Sequence, residues 1–148
     1  MANEQLVDRL RQAVSETWNA WRQAHGNIQL DLSGADLSDL NLGTFNLVNA
    51  DLSGADLSST DLNSARLNGA NLSGANLSGA NLAFTQLINA NLSGANLSDA
   101  DLNGANLSEA NLTNANIYHA DISTAILDEA ILTPEQINTA RLSENDDL

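Results

Sequence analysis

The sequence ANLSGANLSG at residues 70–79 repeats one five-residue unit twice without a change. Leucine or isoleucine occupies the centre of this unit at every fifth position from Leu32 to Leu132, which makes 21 consecutive units. Five residues turn an α-helix through about 500°, so successive leucines would drift about 140° around its axis. In an unbroken strand, an odd spacing sends alternate leucines to opposite faces. A single buried face therefore requires the chain to turn a corner in every unit.

Residue types within the unit predict which side chains point inward. Ala and the central Leu lie two residues apart, so a pleated backbone places both on one face, which we expect to be the interior. The Asn or Asp between them points outward, and the Ser-Gly that follows is typical of a turn. Coils would stack at about 4.8 Å, and each coil needs its neighbours to bury its leucines.

The outward positions favour a coil of four units, or 20 residues, although the five-residue spacing alone does not fix the number of sides. In this register similar residues align from coil to coil, and 21 units make about five coils. The aligned sets are Asp31, Asp51, Asn71, Asn91 and Asn111; Asp36, Asp56, Asn76, Asn96 and Asn116; and Ser33, Ser53, Ser73, Ser93 and Thr113. Asn and Ser ladders of this kind can exchange hydrogen bonds between coils.

Units such as Ala70-Asn71-Leu72-Ser73-Gly74 resemble the A-(D/N)-L-X-X signature of the pentapeptide-repeat proteins. The resemblance covers about 105 of the 148 residues. It implies the fold of that family, an all-β solenoid that forms a right-handed quadrilateral parallel β-helix. The preference for right-handed parallel connections points the same way.

The flanking segments predict helices at both ends of the solenoid. Residues 1–26 form the N-terminal segment, in which apolar residues recur at helical spacing over 3–25 and predict one amphipathic capping helix. The solenoid covers residues 27–132. Thr133-Pro134 with Gln136 is a strong helix start and predicts a short C-terminal capping helix over 133–142. An acidic tail over 143–148 is expected to be disordered. Near the N-terminal end Leu30, Leu40 and Phe45 replace the inward Ala, and we expect them to meet the N-terminal helix.

Charge and composition limit the partners. The chain carries 19 acidic residues, five arginines and no lysine, which gives a net charge of −14. This balance disfavours binding to nucleic acid and favours solubility. There is no cysteine, no apolar run of about 18 residues and no secretory signal pattern, so we expect a cytoplasmic protein without a membrane span.

The sequence offers no constellation that predicts catalysis. His25 ends the predicted N-terminal helix, His119 lies at a corner, Tyr118 is the one tyrosine, and the acids belong to a repeated outward position. We therefore expect no enzyme activity, no cofactor and no metal site, although stacked aspartates leave a calcium role open.

Two surface features are candidates for binding. The aspartates Asp31, Asp36, Asp51, Asp56 and Asp61 crowd the first half of the solenoid. The net charge of residues 28–132, which is nearly the whole solenoid, is −11. The rod would hold about −0.45 charge per Å, against about −0.6 for duplex DNA. The second feature is the outward apolar set Val48, Phe84 and Ile88, which interrupts a polar consensus.

These features leave two functional hypotheses. The first is a non-catalytic protein-binding or scaffold protein with an unidentified protein partner. The second is a DNA-mimicking inhibitor of DNA gyrase or another topoisomerase, because the family resemblance includes quinolone-tolerance proteins that bind gyrase in this way. Helical caps at both ends favour a monomer, while the tryptophans Trp18 and Trp21 leave pairing with a second copy open.

Overall fold

The structure is a computed structural model, and it describes residues 3–141. Within these residues there are three helices: α1 spans Glu4–Gln12, α2 spans Ser15–Ala24 and α3 spans Pro134–Thr139. Between α2 and α3 the backbone pairs through parallel bridges of one residue each, separated by turns. A last bridge, between Asp121 and Arg141, lies beyond α3.

The bridges join residues that are 20 positions apart, so each coil contains four units. Asn71 pairs with Asp51 on one side and with Asn91 on the other. The Leu72 N–H donates to the Asn91 carbonyl at 2.7 Å, and the Asn91 N–H donates to the Ala70 carbonyl at 2.9 Å. The central leucines and the preceding alanines of the inner coils are buried, as the pattern predicts. The predicted 20-residue register is confirmed.

In 19 of the 21 units the corner has a left-handed backbone at its second turn residue; the units centred on Ile122 and Leu132 are the exceptions. The φ angle there lies between 55° and 68° at every fifth residue from Gly34 to His119 and again at Glu129. Seven of these residues are glycines and twelve are not, although a side chain disfavours this conformation. The outward Asn or Asp stabilises the corner, because its Oδ1 accepts the N–H of the first turn residue. Ser73 donates to Asn71 in this way at 3.2 Å.

The single helix predicted over residues 3–25 is wrong, because the chain forms α1 and α2 with a break at Ala13 and Val14. Both residues are extended, with ψ angles of 150° and 160°. The Val14 carbonyl accepts the Trp18 N–H at 3.0 Å and so begins α2. The break re-aims the chain, so that Leu10 of α1 and Trp18 of α2 are both buried against the solenoid.

Helices α1 and α2 lie against the first coil. The Trp18 ring stacks on Phe45 at 5.9 Å between centroids, as the larger inward residues of this coil predict. Trp18 Nε1 donates to the Asn46 carbonyl at 2.9 Å. Arg22 is buried and donates to the carbonyls of Ile28 at 3.1 Å and Val48 at 3.4 Å. The helices thus supply donors to carbonyls at an edge of the solenoid that has no preceding coil.

The C-terminal helix begins as predicted and ends earlier. Thr133 and Gln136 form a capping box, in which each side chain bonds the backbone N–H of the other. The helix predicted to about Leu142 stops at Thr139, because Arg141 rejoins the backbone ladder and donates its N–H to the Ala120 carbonyl at 2.8 Å. Leu142 and the predicted disordered tail lie outside the described residues.

Candidate functional site

The predicted acidic surface consists of aspartates paired between the first two coils. The bridges join Asp31 to Asp51, Asp36 to Asp56 and Asn41 to Asp61, on three successive faces. The next residues along these columns are Asn71, Asn76 and Asn81, which are neutral. The structure therefore brings the five predicted aspartates together at one end of the solenoid, and no continuous acidic stripe follows.

These carboxylates also stabilise the turns that follow them, because they accept hydrogen bonds from turn residues. Asp56 Oδ1 accepts the Ser58 hydroxyl at 2.7 Å and the Ser58 N–H at 3.0 Å, and both bonds lower the pKa of Asp56. The Ser38 hydroxyl and N–H lower the pKa of Asp36 in the same way.

Amide side chains of the following coil extend these bonds into ladders. Asn71 Nδ2 donates to Asp51 Oδ1 at 3.2 Å, and Asn81 Nδ2 donates to Asp61 Oδ1 at 3.1 Å. Asn91 Nδ2 continues the first ladder by donating to Asn71 Oδ1 at 3.4 Å. The acidic residues are therefore part of the framework as well as part of the surface.

The apolar candidates Val48, Phe84 and Ile88 lie in different surroundings. Val48 is half-buried, and its carbonyl accepts from Arg22 of α2. Val48 and Ile88 lie two coils apart in one outward column, with Asn68 between them. Asn68 Oδ1 accepts the Ile88 N–H at 3.0 Å. Phe84 is 60% exposed. A contact surface that contains these three residues stays a prediction.

Phe84 lies over Gly104 of the next coil. A Cβ added at Gly104 would meet the Phe84 ring at 2.5 Å, so the ring occupies the space that a side chain would fill. By contrast, a Cβ added at Gly94 would meet nothing within 4 Å. The exposed ring is thus seated on the solenoid rather than projecting freely from it.

A cleft opens at the break between α1 and α2, above the first coil, and the sequence did not predict it. We name it the first-coil cleft; its volume is about 400 Å³. Its lining includes Leu10, Val14, Leu40, Asn41, Gly43 and Phe45. Gly43 is the one glycine at the first turn position of the 21 units, a signal that the sequence does contain.

Within the described range, no three His, Asp or Glu side chains are grouped so that they could hold one metal ion. His119 stacks on Tyr118 and lies 3.7 Å from Asp99, with both members of that pair exposed. None of the helices in residues 3–141 has the length and apolar character that a membrane crossing requires.

Comparison with known proteins supports the repeat assignment. The family described as Pentapeptide repeats matches residues 31–69, 55–94 and 90–128. A pentapeptide repeat protein from the Arabidopsis thaliana thylakoid lumen is 26% identical, with a TM-score of 0.60 over 78% of this chain and 83% of that chain. The pentapeptide repeat protein Rfr23 from the cyanobacterium Cyanothece 51142 is 30% identical, with a TM-score of 0.56 over 88% and 97%.

A third similar structure is that of QnrB1, a plasmid-mediated fluoroquinolone resistance protein. It is 20% identical, with a TM-score of 0.36 over 74% of this chain and 82% of that chain. A search of curated proteins found no match.

We predict that Gly104→Ala destabilises the protein more than Gly94→Ala. Both glycines have a φ of 67°, so each substitution introduces a strained backbone that costs about 1 kcal/mol. Only Gly104→Ala also displaces the Phe84 ring, which adds about 0.5–1.5 kcal/mol if the ring is forced off its rotamer. Urea unfolding of both variants, and of each combined with Phe84→Ser, measures this difference. Equal losses for the two alanine variants would contradict the seating of Phe84 on Gly104.

We predict that Asp56→Asn reduces the loss of stability in acid. The pKa of Asp56 is lowered in the folded state, so the ionised carboxylate contributes to the free energy of unfolding. This contribution is fully present above the pKa of the unfolded state, about 3.9, and is lost as pH falls through the lower pKa of the folded state. Asparagine keeps the Oδ1 acceptor and does not titrate.

The measurement is the free energy of unfolding in urea at pH 7 and in acid at about pH 2.5. The matched control is Asp39→Asn, since the Asp39 carboxylate makes no hydrogen bond or ion pair within residues 3–141. The same acid-induced loss in both variants would contradict the role of the Ser58 bonds.

Proposed function

This chain belongs to the pentapeptide-repeat family, and we propose that it is a non-catalytic protein-binding or scaffold protein whose partner recognises the outer surface of the solenoid. The observation that carries the proposal is the separation of a uniform buried interior from a varied outer surface of the solenoid. Leucine and alanine, with threonine at Thr60 and Thr85, fill the interior of the inner coils, so most of the variation lies in residues displayed outward in fixed columns.

Family membership also supports the shape that presents these columns. Proteins of this family form right-handed quadrilateral β-helices, and the four-unit coil agrees with that fold. We propose a rod of about five coils, with α1 and α2 as the cap of one end and α3 as the cap of the other. Terminal caps of this kind protect the open ends of a repeat protein from association.

The charge of the rod indicates the chemistry of the partner. Asp31, Asp36, Asp51, Asp56 and Asp61 concentrate negative charge on three faces near α1 and α2. A partner with a basic surface would be attracted to this end, and the attraction would weaken with added salt. We place the protein in the cytoplasm as part of the same proposal, although one similar protein comes from a thylakoid lumen.

DNA mimicry toward gyrase or a related topoisomerase is the second candidate. The pairing of Asp31 with Asp51 and of Asp36 with Asp56 favours it, because two adjacent faces then carry closely spaced negative charges. The columns become neutral at Asn71 and Asn76, so the phosphate-like pattern ends after two coils. This length supports a local contact with a basic protein better than it supports imitation of a duplex.

We predict that the full chain, used as bait in an extract of its source cells, captures a protein that is released by salt. The matched bait carries Asp→Asn at positions 31, 36, 51, 56 and 61, which preserves the side-chain acceptors of the corners and removes five charges. We expect this variant to capture at least tenfold less. Capture of no protein by the wild-type bait would contradict the proposed function, and equal capture by both baits would exclude the acidic surface.

A supercoiling assay with purified gyrase separates the two candidates. We expect no inhibition at micromolar concentrations of the protein, because the acidic columns are short. Inhibition that is lost in the same fivefold Asp→Asn variant would instead establish DNA mimicry.

A further inference from the structure

We propose that the first-coil cleft binds an extended peptide segment of a partner protein, which adds to the solenoid as a strand at Asn41. One aliphatic side chain of the segment would enter the cleft, and basic side chains on either side of it would face Asp39 and Asp61. The proposal rests on the proposed protein-binding function and assigns a place and a chemistry to it.

The argument begins with the backbone groups that face the preceding coil. In the inner coils, the outward residue of each unit both donates and accepts on that side. The Asn71 N–H donates to the Ala50 carbonyl at 2.9 Å, and the Asn71 carbonyl accepts the Leu52 N–H at 2.7 Å. The first coil has no preceding coil, so its four outward residues must find other partners or remain open to water.

The N-terminal segment supplies partners on three of the four faces. The Asp31 carbonyl accepts the Asn3 N–H at 3.0 Å, and the Asp36 carbonyl accepts Arg11 Nη2 at 2.7 Å. Asn46 is bonded twice: its carbonyl accepts Trp18 Nε1 at 2.9 Å, and its N–H donates to Asn19 Oδ1 at 2.7 Å.

The fourth face, at Asn41, is different. Across the described part of the chain, no group bonds to the backbone N–H or carbonyl of Asn41. The neighbouring groups that face the next coil are paired normally, since the Leu40 carbonyl accepts the Asp61 N–H at 2.9 Å and the Leu42 N–H donates to the Asp61 carbonyl at 2.7 Å. Asn41 is therefore an open strand edge held in β geometry, which is the arrangement that binds extended peptides by strand addition.

The cleft beside this edge suits an aliphatic side chain. Leu10, Leu40 and Phe45 line it, together with Val14, which is 60% exposed at the break between α1 and α2. Gly43 contributes no side chain at a position where serine is usual, which keeps the cleft open. Its φ lies outside the left-handed region, so the backbone does not demand glycine here. The volume of about 400 Å³ lies within the range of sites that enclose small ligands.

Charge around the cleft selects a basic segment. Asp61 pairs directly with Asn41, and Asp61 Oδ2 lies 4.0 Å from the point where a Gly43 Cβ would stand. Asp39 is exposed at the preceding corner. The one cation in the lining, Arg11, bonds the Asp36 carbonyl and lies 3.8 Å from Asp8, so its charge is already countered. A segment that alternates basic and aliphatic residues would match both the edge and its surroundings.

The test is an NMR titration of the isotope-labelled full chain with a capped five-residue peptide that alternates Lys and Leu. We expect the largest amide shifts at Asn41, Leu42 and Gly43. Two control peptides separate the contributions: one has Glu in place of Lys, and the other has alternate backbone amides N-methylated. We expect each control to bind at least tenfold more weakly, because the first removes charge complementarity and the second removes strand pairing.

A pair of protein variants tests the location. Gly43→Ile fills the cleft, while Ser98→Ile adds the same side chain at the same turn position of a distant unit. Ile88 already occupies this position, so both variants should fold, as circular dichroism and melting would check. We expect Gly43→Ile to weaken peptide binding at least tenfold and Ser98→Ile to leave it unchanged.

Three results would overturn the proposal: no shift at Asn41–Gly43, equal binding by both variants, or concentration-dependent shifts at Asn41–Gly43 without peptide, which would identify a second copy of the chain as the occupant. Partner capture with the Gly43→Ile variant as bait distinguishes failure of the cleft proposal from failure of the protein-binding proposal. If Gly43→Ile captures as much partner protein as wild type, the cleft is not the docking site although protein binding stands.

Discussion

The left-handed corner that recurs in 19 of the 21 units is the constraint on which the rest of the molecule depends. It lets the Leu of each unit return to the interior, because neither a helix nor a straight strand keeps a period of five on one face. Twelve of these corners carry side chains, and each is strained by about 1 kcal/mol. The outward Asx acceptor and the backbone ladder hold the strained corner, and burial of each leucine contributes about 1.5–3 kcal/mol. The corner, the ladder and the core are thus mutually dependent.

At the ends of the solenoid a coil lacks one of its neighbours, so its backbone groups need other partners. The first coil has a full set of backbone groups that face no preceding coil, and α1 and α2 bond three of its four faces. Their placement depends on the break at Ala13 and Val14, which re-aims α2 so that Trp18 reaches Phe45 and Asn46. The uncovered face at Asn41 lies beside the same break, since Ala13 and Val14 line one cleft together with Asn41. At the other end Arg141 restores one more pairing after α3.

The interior could be predicted from the sequence because its signal repeats. Aligned columns such as Asp31 and Asp51 above Asn71 favoured the 20-residue register, and the replacement of Ala by Phe45 predicted a contact with the N-terminal segment. The helix break was missed because apolar spacing continues through Ala13 and Val14, and spacing carries no information on where a docked helix must turn. Ala140-Arg141-Leu142 repeats the unit and so marks the return of Arg141 to the ladder. This pairing was missed because the strong helix start at Thr133 favoured a helix through these residues. The first-coil cleft depends on how two helices dock, and only the glycine at Gly43 marks it locally.

The four-unit coil is tested most directly by cysteine cross-linking, since the natural chain has no cysteine. Asn71 and Asn91 pair directly between coils, and the stacking distance of about 4.8 Å suits a disulfide. In the variant Asn71→Cys with Asn91→Cys, we expect an intramolecular disulfide under mild oxidation, detected as protection of both thiols from alkylation. Asn71→Cys with Asn96→Cys places the pair on adjacent faces and should leave both thiols free. Cross-linking of the second pair and not the first would contradict the 20-residue coil.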